Sequence, residues 1–416
     1  MRWTRLSLLM LLFVAAPSQA DSVLEGGHTK LRLGVADIPD DSVFLNAIDS
    51  PAFDQGGDLR LNFKAQRGQW GVNADYQLIG QAGDSLTLVR DVSTLLPGPG
   101  GVQNDDRRLM DLTAVLSEGN DYVISHRLDR LALSWRGEKW VARVGRQAIS
   151  WGNGLLYNPV DIFNPFDPAA VDKEYKSGDD MAYTQYLRDN GDDLQAVYVV
   201  RRDEQGDLDQ AVNSTSVKYH GFSGDAEYDL LLAEHYDDMI VGIGGSLPLG
   251  GAVLRGDVTF TETDLDEYWS AVANLSYSWV GWGRNMSGVV EYFYNGFGQP
   301  EGEYSTEDLQ SNPDLLLRLA RGELFTLGRH YVAGTVLIEV TPLLTLAPTA
   351  FVNLADQSFL AQLVGTWSLS QNWQLLAALN LPVGGAGTEY GGIETAVEGQ
   401  RLSQGASIFA QLAWYF

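Results

Sequence analysis

The chain contains no cysteine. That one absence removes disulfide stapling, thiolate metal sites and cysteine nucleophiles together. Histidine is scarce as well: His28, His126, His220, His235 and His330 are dispersed, with no His-Glu-x-x-His pair and no Gly-x-Ser-x-Gly elbow. His220 to Gly224 sets a serine near a histidine, but the segment reads as a tight turn and lacks a third catalytic member. No loop has calcium-ligand spacing, and no glycine-rich loop ends in Gly-Lys-Ser or Gly-Lys-Thr. The residues therefore predict no enzyme activity, no metal and no cofactor. Basic residues are also few, 28 against 54 acidic ones for a formal charge of −26, which argues against a nucleic-acid partner.

Long apolar runs are missing apart from Leu6 to Ala16, which follows Arg2 and Arg5 and precedes Pro17-Ser18-Gln19-Ala20. This pattern predicts a secretory signal over residues 1–20 with cleavage after Ala20. Nothing later is long enough for a transmembrane helix. Removing the signal leaves 396 residues (416 minus 20), and 26 basic (28 minus 2) against 54 acidic side chains, or −28. No Pro/Ser-rich linker or shift of composition divides residues 21–416, so they read as one domain. An exported chain without a helical span has three destinations: the periplasm, the medium or the outer membrane.

What is abundant decides among these. Aromatics make up 11% and glycines number 45, a composition of strands and turns. The chain ends with Ile408, Ala410, Leu412, Trp414 and Phe416 on one face of an extended strand. Typical outer-membrane barrels end in this way, and the resemblance implies that Trp414 and Phe416 belong to a signal read by the barrel-assembly machinery. Period-two alternation recurs throughout, as in Leu59, Leu61 and Phe63 followed by Trp70, Val72, Ala74, Tyr76 and Leu78. Tryptophan and tyrosine at segment ends match membrane girdles.

Counted back from Phe416, connections alternate between short turns and longer, more variable loops. That parity predicts an all-β, transmembrane antiparallel barrel of about 18 strands, with 16 as the alternative, short periplasmic turns and long extracellular loops. Its expected surroundings are outer-membrane lipid and lipopolysaccharide of a Gram-negative bacterium.

With the Leu, Trp and Tyr positions facing lipid, Lys30, Arg32, Arg60, Lys64, Arg130, Arg136 and Arg143 face the lumen. The early wall reads as basic, and the later wall, with Arg255, Asp257, Glu227, Asp229 and Glu291, as mixed or acidic. Such a transverse field steers charged or polyhydroxylated solutes. The alternative is that these cations are paired with acids of neighbouring strands or of an infolded loop and simply fill the barrel.

The most distinctive segment runs from Val144-Gly145-Arg146-Gln147 through Trp151-Gly152 to Asn158-Pro159-Val160-Asp161 and on to Phe163, Asp167 and Pro168. It resembles a porin-like group of Gram-negative outer-membrane barrels that includes uncharacterised families and, more remotely, alginate-export-type channels. The match is good over residues 144–180 and elsewhere is carried by barrel pattern alone. The resemblance implies a monomeric barrel with a large loop after this strand, folded toward the lumen. Proline with asparagine ahead of it favours an ordered loop, with Arg146, Trp151, Asp161, Phe163 and Asp167 as candidates for its constriction. A second ordered insert is expected at residues 312–322, with Asn312 as N-cap, Pro313 in the first turn and Gly322 at the end. The function expected is passive passage of small or polymeric polar, in part anionic, solutes. A plugged structural or assembly-partner barrel is the main alternative, and an outer-membrane hydrolase a lesser one.

Overall fold

The computed structural model describes residues 23–92 and 104–416; the expected export signal lies outside the described residues. The first nine strands of its barrel are β1 (Leu24–Ala36), β2 (Ala52–Arg67), β3 (Trp70–Gly83), β4 (Tyr122–Arg136), β5 (Trp140–Gln147), β6 (Asp179–Leu187), β7 (Asp193–Val199), β8 (Ser214–Ser223) and β9 (Ala226–His235). The second nine are β10 (Asp238–Leu249), β11 (Ala252–Glu262), β12 (Glu267–Gly281), β13 (Arg284–Tyr294), β14 (His330–Thr341), β15 (Leu344–Asn353), β16 (Phe359–Ser368), β17 (Trp373–Val383) and β18 (Ser407–Tyr415). Each pairs antiparallel with its neighbours in this order, and β18 returns to β1 with Leu412 opposite Leu31. Closure leaves no open edge, the condition for strands to cross a lipid bilayer. The 19-stranded sheet therefore comprises 18 barrel strands and one short addition, Thr113–Glu118, along the upper part of β4.

Alternation places side chains as the period-two pattern predicts. On β18, Ile408 is 59% exposed and Trp414 39% exposed on the outer face, whereas Gln411 and Ala413 are buried inside. Two strands begin earlier than their side-chain pattern suggests. The alternation Thr29, Leu31, Leu33, Val35 predicts a first strand from Thr29, yet β1 starts at Leu24, and β2 takes in Asp54-Gln55-Gly56-Gly57, a poor strand former by composition. Continuous pairing with β1, from Ala36 opposite Ala52 to Leu31 opposite Gly57, satisfies that backbone and outweighs local propensity.

The wall is low at β5, β6 and β7, with 8, 9 and 7 residues. Above β5, residues 104–118 complete it. Thr113–Glu118 pairs with β4, but residues 104–112 meet β6 and β7 mainly through side chains. The Arg146 guanidinium donates to Asp180 at 2.9 and 3.0 Å, to Asp105 at 2.7 Å and to the carbonyl of Met110 at 2.5 Å. Arg202 donates to the carbonyls of Arg108 and Leu109 at 3.1 and 3.2 Å. Backbone acceptors that a ladder would have satisfied are thus met by guanidinium groups.

At the long-loop end, three connections share an apolar cluster: Val43 from residues 37–51, Phe297, Tyr304, Leu309, Leu315 and Leu327 from 295–329, and Ile393 and Leu402 from 384–406. Among the helices α1 (Asp84–Val92), α2 (Thr306–Gln310) and α3 (Pro313–Arg321), the last has the caps its sequence predicts. Asn312 accepts from Leu315 N–H, and Gly322 adopts φ 69°, the left-handed conformation that glycine tolerates at a helix end.

Candidate functional site: a loop-lined lumen

Residues 148–178 leave the top of β5 and fold inside the barrel. Trp151 donates to Gln195 on β7 at 2.8 Å. Asn153 donates through its backbone and side chain to Asp257 on β11 at 2.5 and 2.7 Å. Glu291 on β13 accepts the backbone N–H groups of Leu155, Leu156 and Tyr157 at 2.7, 3.0 and 2.6 Å. Gln362 on β16 donates to the carbonyl of Ala169 at 2.8 Å, and Arg130 on β4 to that of Lys176. The loop is therefore pinned around the inner wall from β7 to β4. Buried carboxylates satisfy backbone donors that the irregular chain leaves free.

Two apolar clusters seal one side of the lumen. Ile149, Trp151, Val160, Ile162 and Phe163 from the loop pack on Met181, Tyr183, Val197, Val199, Leu231, Ala233 and Ile240 of β6, β7, β9 and β10. Tyr157 packs on Val272, Phe293, Tyr331, Ala333 and Phe351, with its ring stacked on Phe293 at 4.9 Å. A buried pair ties the loop to itself: Lys176 Nζ lies 2.5 Å from Asp161. Burial pushes the Asp161 carboxyl up to about 6 despite Lys176, and pushes the Lys176 ammonium down.

The other side is polar and hollow. A cavity of about 500 Å³ is lined by His28, Lys30 and Arg32 of β1, Asp54 and Asp58 of β2, Gln77, Arg127, Asp172, Tyr175, Asn380 and Ser407. A second, of about 360 Å³, meets it at Arg32, Gly34, Asp54 and Phe409 and extends to Ser85, Leu86 and Val89 of α1. The cations around it are paired. Lys30 lies 2.8 Å from Asp172 and 2.7 Å from Glu174, and Arg32 2.6 Å from Asp58. Arg60 lies 2.8 Å from both Asp75 and Asp129, while Arg127 and Arg130 share Asp129 at 3.0 and 2.8 Å. Burial alone would raise Asp172, but the Lys30 ammonium holds its carboxyl below the usual range. The arc presents closely spaced opposite charges rather than a net basic wall.

Of the residues expected at the lumen, Lys30, Arg32, Arg60 and Arg130 stand together on this arc. Lys64 sits at the short-turn rim, half-exposed and 3.1 Å from Glu25, and Arg136 is exposed near the same end. Arg143 stacks on Tyr183, 4.3 Å from the ring centroid, toward the packed side. Among the loop residues, Arg146 closes the wall seam. Trp151 and Phe163 are buried against each other and the wall, and Asp161 holds Lys176. Asp167 accepts from Ala169 N–H in a turn, its carboxyl pushed up by burial. These side chains pack the loop, and the open space is lined by others.

The sequence pattern misses three of the lining residues. A β-bulge sets Asp75 opposite Arg130 but Tyr76 opposite Leu128, so Asp129 is the extra residue and Arg127 shares the inner face. Simple alternation places Arg127 outside. His28 lies just before the expected start of β1, and Tyr175 is in a loop with no period to read.

A buried carboxyl joins the upper loops to the wall. Glu389 accepts from Tyr331 Oη at 2.5 Å, Asn353 Nδ2 at 2.8 Å and Leu327 N–H at 3.1 Å. Burial pushes it up to about 7, against these hydrogen bonds and with Asp356 adding repulsion. Because the docked value lies above the ordinary 4.5, docking is strongest below pH 4.5 and weakens as pH rises to about 7, by roughly 3 kcal/mol in all. The protection of residues 384–406 from hydrogen exchange, measured relative to the intrinsic rate at each pH, is expected to be lower at pH 8 than at pH 5. Glu389→Gln should flatten that difference; an unchanged difference would assign it to another group.

No protein-family model matches the chain, and no curated sequence does. Solved structures do. Wzi of Escherichia coli, described as an outer membrane protein involved in group 1 capsule assembly and as a carbohydrate-binding β-barrel, matches at 10% identity over 98% of this chain and 87% of its own, with TM-score 0.52. OccK5 (OpdH) of Pseudomonas aeruginosa matches at 10% identity over 95% and 99%, with TM-score 0.51. OccAB4 of Acinetobacter baumannii matches at 9% identity over 96% and 100%, with TM-score 0.50. The fold is that of an outer-membrane β-barrel. The short-turn end is accordingly periplasmic and the long-loop end extracellular.

Proposed function

We propose that the protein is a passive outer-membrane channel for small polar solutes, with its path along the charged arc formed by β17, β18 and β1–β4. The observation that carries this reading is the asymmetry of the lumen: apolar packing on one side, and on the other a cavity of about 500 Å³ where charged, amide and hydroxyl groups stand among Val35, Ala36, Val171 and Phe409. Water and solute follow the side where polar groups remain solvated. Paired charges attract a free anion weakly at physiological ionic strength, but they offer neighbouring donors and acceptors to hydroxylated solutes. The cavity suits solutes of monosaccharide or amino-acid size better than a polymer.

A second reading, a closed barrel that binds a saccharide at the cell surface, draws on the apolar cluster shared by three upper loops and on the likeness to Wzi. Single-channel recording separates the two. The channel reading expects steady current that falls when glucose or an amino acid is added to the bath, whereas a bilayer that stays silent for the wild type and for variants that open the lumen loop would favour the closed barrel.

A further inference from the structure

The floor of the charged cavity is one aromatic ring. Tyr175 lines the cavity and is 39% exposed, while its ring covers the Arg60 guanidinium at 4.0 Å and lies 5.4 Å from the ring of His28. β2 descends from Ala52 at the extracellular end to Arg67 at the periplasmic end, so Asn62 lies below Arg60. Glu174, next to Tyr175 in the chain, accepts from Tyr415, near the periplasmic end of β18, at 3.0 Å. The ring thus stands between the cavity and the periplasmic mouth.

Beneath it are two polar atoms without partners. Arg60 and His28 are both 1% exposed; Arg60 Nη1 and His28 Nδ1 have no hydrogen-bond partner, although Arg60 Nη2 and His28 Nε2 are well paired with carboxylates. Buried polar atoms are normally satisfied, and leaving one bare is costly. The π face of Tyr175 is a weak substitute for an acceptor oxygen. Both orphans become useful when the ring moves aside, because each then meets water or a passing solute.

We infer that Tyr175 is the gate of this channel, and that its displacement opens a subsite at which Arg60 Nη1 donates to an oxygen of the permeating solute and His28 Nδ1, whose Nε2–H is held by the Asp58 carboxylate, accepts from a solute hydroxyl. The inference rests on the channel reading above and adds where the path is closed and what the solute meets there. Tyr175 belongs to a loop tethered to the wall on both sides, by Lys30 at Asp172 and Glu174 and by Arg130 at the Lys176 carbonyl. The side chain can therefore turn while the loop stays in place.

The test compares wild-type protein with Tyr175→Ala and Tyr175→Phe in planar bilayers under a KCl gradient. Tyr175→Ala is expected to raise single-channel conductance at least twofold and to move the reversal potential toward chloride, because Arg60 Nη1 is uncovered. Tyr175→Phe keeps the ring over Arg60, so conductance and reversal potential close to those of the wild type are expected. A silent wild type with a conducting Tyr175→Ala would support the gate. A conducting wild type with unchanged conductance and reversal potential in Tyr175→Ala would overturn the gate and leave the channel standing. Silence in both proteins would overturn gate and channel together.

Discussion

Glu291→Ala is expected to free the lumen loop without opening the barrel. The carboxylate is fully buried and accepts three consecutive backbone N–H groups, those of Leu155, Leu156 and Tyr157, as well as Asn274 Nδ2 at 3.1 Å. Removing it strands donors that each cost about 1–3 kcal/mol when left buried and bare, so the local loss amounts to several kcal/mol. The loop bears that loss, since the wall retains its closed ladder through β12, β13 and β14. Protease cleavage within residues 148–178 should appear, single-channel current should rise and become noisier, and heat-dependent gel migration should persist. Glu291→Gln keeps one acceptor oxygen and should fall between. A protected loop and unaltered current in Glu291→Ala would mean that the loop is held by its apolar contacts alone.

Arg146→Met is expected to damage the barrel itself. Arg146 and its partners Asp105 and Asp180 have side chains at most 2% exposed, and substitution takes the Arg146 donors from both carboxylates and from the Met110 carbonyl, leaving Asp105 with Arg108 and Leu112 N–H and Asp180 with Met110 N–H alone. Breaking a buried pair in this way typically costs about 3–5 kcal/mol, because a charge remains in a low-dielectric site. Burial alone would raise Asp105, yet the Arg146 guanidinium holds it below the usual carboxylate range. Once that cation is lost, protonation relieves part of the cost, so the variant should be less impaired near pH 4 than at pH 7. The temperature at which the folded band disappears on a gel should fall by several degrees at neutral pH. An equal folded-band temperature in variant and wild type would show that residues 104–118 close the wall without Arg146.

Much of the barrel is legible in the sequence because lipid imposes period two on every strand, and a closed barrel turns the parity of its connections into sidedness. The same parity finds Lys30, Arg32, Arg60 and Arg130 on the inner face. It fails at Asp129, where one extra residue moves Arg127 inward, and it cannot see that each cation has a carboxylate facing it across a strand or from the loop. Asp229, Asp257 and Glu291 read as inward acids. Their role as loop anchors stays hidden because their partners include backbone N–H groups far away in sequence, such as those of Asn153 and Leu155. The loop candidates stand out in the sequence by aromatic and charged chemistry. Trp151 and Phe163 instead answer to packing, and the open side belongs to Tyr175, which no local period marks.

The absence of native cysteine makes the central claim directly measurable, since a single introduced thiol is unique in the protein. Gln77→Cys and Asn380→Cys place it on the charged arc; Ser216→Cys and Thr259→Cys place it at buried sites on the opposite wall. A charged methanethiosulfonate reagent is added to the extracellular chamber while single-channel current is recorded. The path proposed here predicts that current falls by about half or more at the two arc positions and is unchanged at the other two. Block at Ser216→Cys or Thr259→Cys, with continued flow past modified Gln77→Cys and Asn380→Cys, would contradict it.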